Sequence, residues 1–221
     1  MVFKFCAAVA MLLVLAGTIR AADEKSFRDT FNVDEKNLAS TGRNPFFVLE
    51  VGYELVLEGK EDGKDARLTV SVLNETKKIG NVETRIVEEK IINLKDNSVI
   101  EDSRNYFAID TTTGDVYYFG EDVGGAWTAG VDGAKFGLVM PGKPKVGDRF
   151  YHELAKNAQD RSEIVSISET VTTSAGTFKD CIKTEETSPL EPKNKEYKWF
   201  APGIGLIVDD EFKLVKHSAV K

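Results

Sequence analysis

Between Phe46 and Val215 the chain reads as a succession of short β-strands, and many of them carry neighbouring aromatic residues: Phe46-Phe47, Tyr106-Phe107, Tyr117-Tyr118-Phe119, Phe150-Tyr151 and Trp199-Phe200. Successive side chains on a strand point to opposite faces, so an aromatic doublet puts apolar surface on both sides of a sheet. A flat sheet with one wet face has no use for that pattern. The expected fold is therefore all-β: a curved antiparallel sheet, half-barrel or barrel-like, with little helix and with an apolar cavity as its natural interior.

The period-2 pattern is clearest from Val48 to Glu58, where Leu49, Val51, Tyr53, Leu55 and Leu57 share one face and Glu50, Gly52, Glu54 and Glu58 dominate the other. A turn at Asp62-Gly63 joins this run to Leu68–Val72 as a first hairpin. Further strands are expected around 82–92, 99–109 and 116–119, the last two joined by a Thr113-Gly114 turn. After the glycine-rich stretch 120–142, expected to be the longest loop, strands resume at 149–154, 162–167, 169–173, 181–187, 197–200, 206–208 and 212–216. Residues 155–161 are the one segment read as a short helical turn.

The first 22 residues read as a secretory signal peptide. Lys4 supplies a basic start, residues 7–16 form an apolar run too short to span a membrane, and the small residues Ala21 and Ala22 suit cleavage. Thr18 stands where a lipoprotein box needs cysteine, so no lipid anchor is expected. Residues 23–45 are polar and without period, an extended lead-in; residues 46–221 then form a single β domain. Removing Lys4 and Arg20 takes the formal charge from −7 to −9. A negative exported protein without a basic cluster is not built for nucleic acid, and no second apolar run predicts a membrane span. Periplasmic or extracellular placement follows. Cys6 leaves with the leader, so Cys181 has no intramolecular partner and reads as a small buried strand residue.

Catalytic signatures are sparse. There is no G-x-S-x-G elbow and no phosphate-binding loop, Gly203-Ile204-Gly205 lacks its third glycine, and His152-Glu153 lacks the second histidine of a zinc-peptidase helix. Adjacent acidic pairs such as Glu88-Glu89 and Glu185-Glu186 must face opposite ways and read as solvated sheet surface. One constellation stays open: Glu121 and Asp122 end a strand before the glycine-rich loop, while His152, Glu153 and Asp160 flank the next strand end. If these met, an oxygen-rich cluster with one imidazole could hold a divalent cation; as surface charge they would hold none.

The stretches Gly42–Phe47 (GRNPFF), Ser103–Asp110 (SRNYFAID), Tyr117–Asp122 (YYFGED), Gly147–Tyr151 (GDRFY) and Lys198–Leu206 (KWFAPGIGL) resemble a family of secreted bacterial proteins to which no activity is attached. The resemblance runs along nearly the whole mature chain. Relatives are longer between Gly120–Asp122 and Gly125–Trp127, where they carry a His-Glu pair, and longer between Glu153 and Asp160, so a family site in those loops would be reduced here. At fold level the strands are also similar to the curved half-barrels of periplasmic lipoprotein carriers, which implies an apolar groove on a concave face.

These observations favour a non-enzymatic exported protein that binds an apolar or amphiphilic small molecule or an envelope component, with Trp127, Phe136, Met140, Trp199 and Phe200 as contact residues. The alternatives are a metal-binding protein or metal-dependent hydrolase using Glu121, Asp122, His152, Glu153 and Asp160, and a structural envelope module with both sheet faces packed solid.

Overall fold

The computed structural model describes residues 26–122 and 126–218; the signal-peptide reading and residues 123–125 of the shortened loop lie outside them. After a 3-10 turn at Glu35–Asn37, seventeen strands follow among the described residues. They are β1 (Leu38–Ala39), β2 (Gly42–Asn44), β3 (Phe47–Leu49), β4 (Glu54–Glu61), β5 (Lys64–Ile79), β6 (Val82–Asn93), β7 (Val99–Asp110), β8 (Val116–Glu121), β9 (Trp127–Thr128), β10 (Lys135–Met140), β11 (Arg149–Tyr151), β12 (Glu153–Leu154), β13 (Arg161–Thr173), β14 (Gly176–Ser188), β15 (Glu191–Ala201), β16 (Gly205–Asp209) and β17 (Phe212–His217).

The main sheet is antiparallel throughout and runs β11-β13-β14-β15-β16-β17-β4-β5-β6-β7-β8-β10-β12. Its two ends, β11 and β12, are separated in the chain by His152 alone. Tyr151 pairs with Arg161 on one side of that residue, and Glu153 pairs with Phe136 on the other. The sheet thus comes round on itself into a nearly closed barrel, with the seam at His152. Gly137 makes the seam possible: a Cβ there would lie 2.3 Å from the Tyr151 carbonyl oxygen and 2.4 Å from that of His152. Beside β11 the edge is taken by Arg28, whose N–H donates to Arg149 O and whose carbonyl accepts from Tyr151 N.

Except for Phe46-Phe47, both of which line the interior, the doublets face both ways. Phe107, Tyr118 and Phe200 look inward. Tyr117 looks outward beneath Phe31, Tyr151 packs against Phe27, and Trp199 lies under the Lys183 ammonium. Outward positions on β4–β7 carry cross-strand ion pairs: Arg67–Glu58 at 2.6 Å, Lys90–Asp102 at 2.8 Å and Arg104–Glu75 at 3.1 Å. Exposed pairs of this kind add little stability, but they mark a wall that faces water, where a membrane barrel presents an apolar band. No helix among the described residues is long and apolar enough to cross a membrane.

Four expectations, three of strands and one of a helical turn, are corrected. The run Val48 to Glu58 is broken by a turn at 50–53, where Gly52 has φ +81° and Val51 is exposed; alternation survives the turn because Tyr53, Leu55 and Leu57 keep their parity. The stretch 120–142 holds β9 and β10, the latter a wall strand despite Gly137. Residues 162–173 form one bulged strand, β13, rather than two. Residues 155–160 are an irregular loop without helix, tied by the Glu153 carboxyl, which accepts from Asp160 N–H. The Asp62-Gly63 hairpin is as expected, with both residues left-handed at φ +51° and +74°, the type I′ geometry that suits twisted strands. Cys181 is fully buried, and burial raises its thiol pKa.

Candidate functional site

The barrel encloses a cavity of about 270 Å³. One end is apolar. The β2–β3 hairpin, lying off the main sheet, brings Phe46, Phe47 and Val48 to this floor, joined by Tyr53, Leu55, Met140, Phe200, Ile204 and Leu206. Asn44, 2% exposed, pins the hairpin: its Nδ2 donates to Gly114 O at 2.8 Å and Pro141 O at 2.9 Å, and its side-chain oxygen accepts from Phe46 N–H at 2.7 Å. Gly203 N–H donates to Pro45 O, and the Tyr53 hydroxyl to Ile204 O at 2.8 Å. The GRNPFF and APGIGL stretches therefore meet, and together they build the floor.

The other end is charged. Seven carboxyl groups line it, those of Glu89, Glu101, Glu121, Glu153, Asp160, Glu186 and Asp209, with Lys198 and His152 as the basic groups. Glu101 and Asp160 are exposed at the mouth. Lys198 Nζ stands 3.3 Å from Glu186 Oε2 and 3.5 Å from Asp209 Oδ2. Burial works against the ammonium, yet Asp209 and Glu186 outweigh it and hold its pKa well above normal. Burial likewise opposes the Glu186 carboxylate, but Lys198 and His152 keep its pKa low; in Asp209 burial wins and raises it.

Ser162 has one hydroxyl proton, donated to Glu186 Oε1 at 3.2 Å, so the 2.8 Å contact with His152 Nε2 is an N–H donating to Ser162. In that tautomer His152 is no base for the serine, and Ser162 is 1% exposed. This is a structural relay and not a nucleophile pair. Burial lowers the His152 pKa, with Glu186 opposing. Across the cavity the Tyr118 hydroxyl lies 2.6 Å from Asn105 Oδ1 and 3.2 Å from Glu121 Oε2, while Asn105 Nδ2 donates to Ser103. Burial is the first cause of the upward shifts at Glu121, at Glu89, pushed to about 7, and at Glu153, pushed to about 9 with Asp160 adding repulsion.

Of the residues expected to hold a cation, Glu121, His152, Glu153 and Asp160 reach the cavity wall. Asp122 is exposed, and its carboxylate accepts from Arg104 N–H at 2.9 Å. Among the described residues no three His, Cys, Asp or Glu side chains are grouped so as to hold a metal ion. Of the expected contact residues, Met140 and Phe200 line the floor. Trp127 packs with Ala134 and Ala155 against Tyr118, Phe136 stacks on Phe119 at 4.7 Å, and Trp199 lies outside beneath Lys183. Glu185 does face solvent, paired with Lys195 at 3.0 Å, but Glu186 and Glu89 turn into the cavity, so that half of each acidic doublet was misplaced. Strand parity held the signal at two of these positions: Glu89 shares a face with Val87, and Lys198 with Phe200.

No protein-family model matches the chain, and no curated protein matches it. A solved structure of a presumed exported protein with a YmcC-like fold, from Bacteroides fragilis, is similar at 17% identity and a TM-score of 0.45, over 80% of this chain and 100% of that one.

Proposed function

We propose that the protein is an exported, non-enzymatic binding protein that holds an amphiphilic small molecule inside its barrel. The observation that carries this reading is the two-ended cavity, with its floor of Phe46, Phe47, Met140 and Phe200 and its wall of charged groups opening toward Glu101 and Asp160. Its volume of about 270 Å³ lies just below the roughly 300–1,000 Å³ usual for ligand pockets, which favours a small molecule over a segment of an envelope protein. Apolar surface and fixed charge on one continuous wall suit a molecule that has both. Export is supported by the basic, apolar and small-residue pattern of residues 1–22.

The test is displacement of a neutral reporter dye, N-phenyl-1-naphthylamine, from the purified mature protein. Dye fluorescence should rise with protein and fall when an eight-carbon alcohol is added. Val70→Phe, which pushes a ring from the wall into the cavity, should abolish both signals while the variant stays folded. A dye response that survives Val70→Phe, or no dye and no alcohol binding at all, would overturn the reading.

A further inference from the structure

We propose that the charged wall selects the head of the ligand: the cavity takes an amphiphile whose polar end is an organic cation, such as an alkylammonium, seated beside Glu89. This rests on the binding reading above. Glu89 sits on β6 between Val70 of β5 and Ser103 of β7, with its side chain in the cavity wall. It is half-buried in the cavity wall, and its carboxyl makes no hydrogen bond or ion pair with any described residue. Charges face it from four strands: Lys198 of β15 attracts it, while Asp209 of β16, Glu101 of β7 and Glu121 of β8 repel it. Lys198 is already engaged by Glu186 and Asp209.

A carboxylate drawn into a cavity wall without a partner is costly, and the partner that relieves the cost is a cation. An ammonium head donates three hydrogen bonds to acceptor-only carboxylates and brings the countercharge. An anionic head would meet Glu89, Glu101, Glu121 and Asp209, and a neutral one would leave the excess charge uncompensated. A bare metal ion is disfavoured, because no three ligating side chains are grouped for it among the described residues and because the apolar floor would stay empty. Burial raises the Glu89 pKa to about 7, so near neutral pH an incoming ammonium shifts it further toward the ionised form and releases a fraction of a proton.

Calorimetric titration of the mature protein with octylammonium, octan-1-ol and octanoate, at neutral pH and fixed ionic strength, tests this. Octylammonium should bind about tenfold or more tighter than octanol, with octanoate weakest, and in Glu89→Gln the two should come within about threefold of each other. Repeating the wild-type titrations in buffers of different ionisation enthalpy should show proton release with octylammonium and none with octanol, a readout that needs no variant. Equal affinities for the three probes, or no proton release, would overturn the head-group inference and leave the cavity reading standing. Binding of none of them would overturn both.

Discussion

Replacing Gly137 by alanine sets two effects of opposite sign against each other at the barrel seam. Gly137 does not have a positive φ, so alanine fits its backbone, and the loss of unfolded-state freedom alone would stabilise the protein by about 0.4–1 kcal/mol. Against this, the new methyl would stand 2.3 Å from Tyr151 O, 2.4 Å from His152 O and 2.6 Å from His152 C, whereas ordinary contact begins near 3.4 Å. All three are backbone atoms, so no rotamer change relieves the clash, and β10 must move off the His152 bend by about 1 Å. Overpacking of this kind costs about 1–3 kcal/mol, occasionally more, and the short Phe136 to Glu153 pairing is lost with it. The net expectation is destabilisation of about 2–3 kcal/mol, seen as a lower urea midpoint with the slope unchanged. Gly63→Ala is the control: φ is +74° and nothing lies within 4 Å, so only the left-handed penalty of about 1–2 kcal/mol applies. A Gly137→Ala protein as stable as wild type would refute the tight seam.

Glu153→Gln should change the pH dependence of stability. Burial, reinforced by Asp160, holds the folded carboxyl protonated up to about 9 while the unfolded chain ionises near 4.5, so wild-type stability falls as pH rises through that window, by up to about 1.4 kcal/mol per pH unit from this group. The variant should match wild type near the acid end and exceed it at alkaline pH in urea titrations; no divergence would place Glu153 in a wetter site. Lys198→Met leaves Glu186 and Asp209 without their countercharge and should cost near the low end of the 3–5 kcal/mol range, about 3 kcal/mol, because 25% of the lysine side chain remains exposed; adding Glu186→Gln and Asp209→Asn should restore most of the thermal stability. Asn44→Ala orphans two backbone carbonyls and one N–H at the floor, each worth about 1–3 kcal/mol when left unpaired, and should lower the melting temperature and loosen dye binding together.

The fold class was legible because strand alternation is local. Tyr117 and Tyr118 are neighbours and must face opposite ways, whatever packs on each, so doublets in several strands implied a wall covered on both sides. The site was legible only in part. Glu121, Asp122, His152, Glu153 and Asp160 were singled out as a set because they flank strand ends; all but the exposed Asp122 line the cavity. Glu186 and Glu89 were read as solvated surface and Lys198 and Asp209 were not singled out, because a charge at inward parity looks like any surface charge until the sheet closes around it. Trp127 and Phe136 were chosen for size within a glycine-rich stretch, but size does not say which face a ring occupies. β10 turns Phe136 outward onto Phe119 and Tyr117, leaving the neighbouring wall to Met140. Gly137 looked like a loop residue for the same reason: the carbonyls that exclude its side chain come from residues 14 and 15 positions further along the chain.

The seam and the charged wall are one device. His152 and Glu153 belong to the short stretch that both closes the barrel and carries two of the ionisable groups in the wall. His152 reaches Ser162 of β13, Ser162 reaches Glu186 of β14, Glu186 reaches Lys198 of β15, and Lys198 reaches Asp209 of β16, so the relay crosses from the closing stretch through four strands of the wall. Buried ion pairs of this sort are often no more stable than apolar residues of similar volume, and an all-apolar interior would hold the same barrel. Stability therefore does not account for a wall of seven carboxyl groups with Glu89 left unpartnered among them. The proposed binding of an ammonium head accounts for it. It also implies that whatever disturbs the seam at Gly137 disturbs the cavity's charge, because the groups that shut the barrel are the ones that line it.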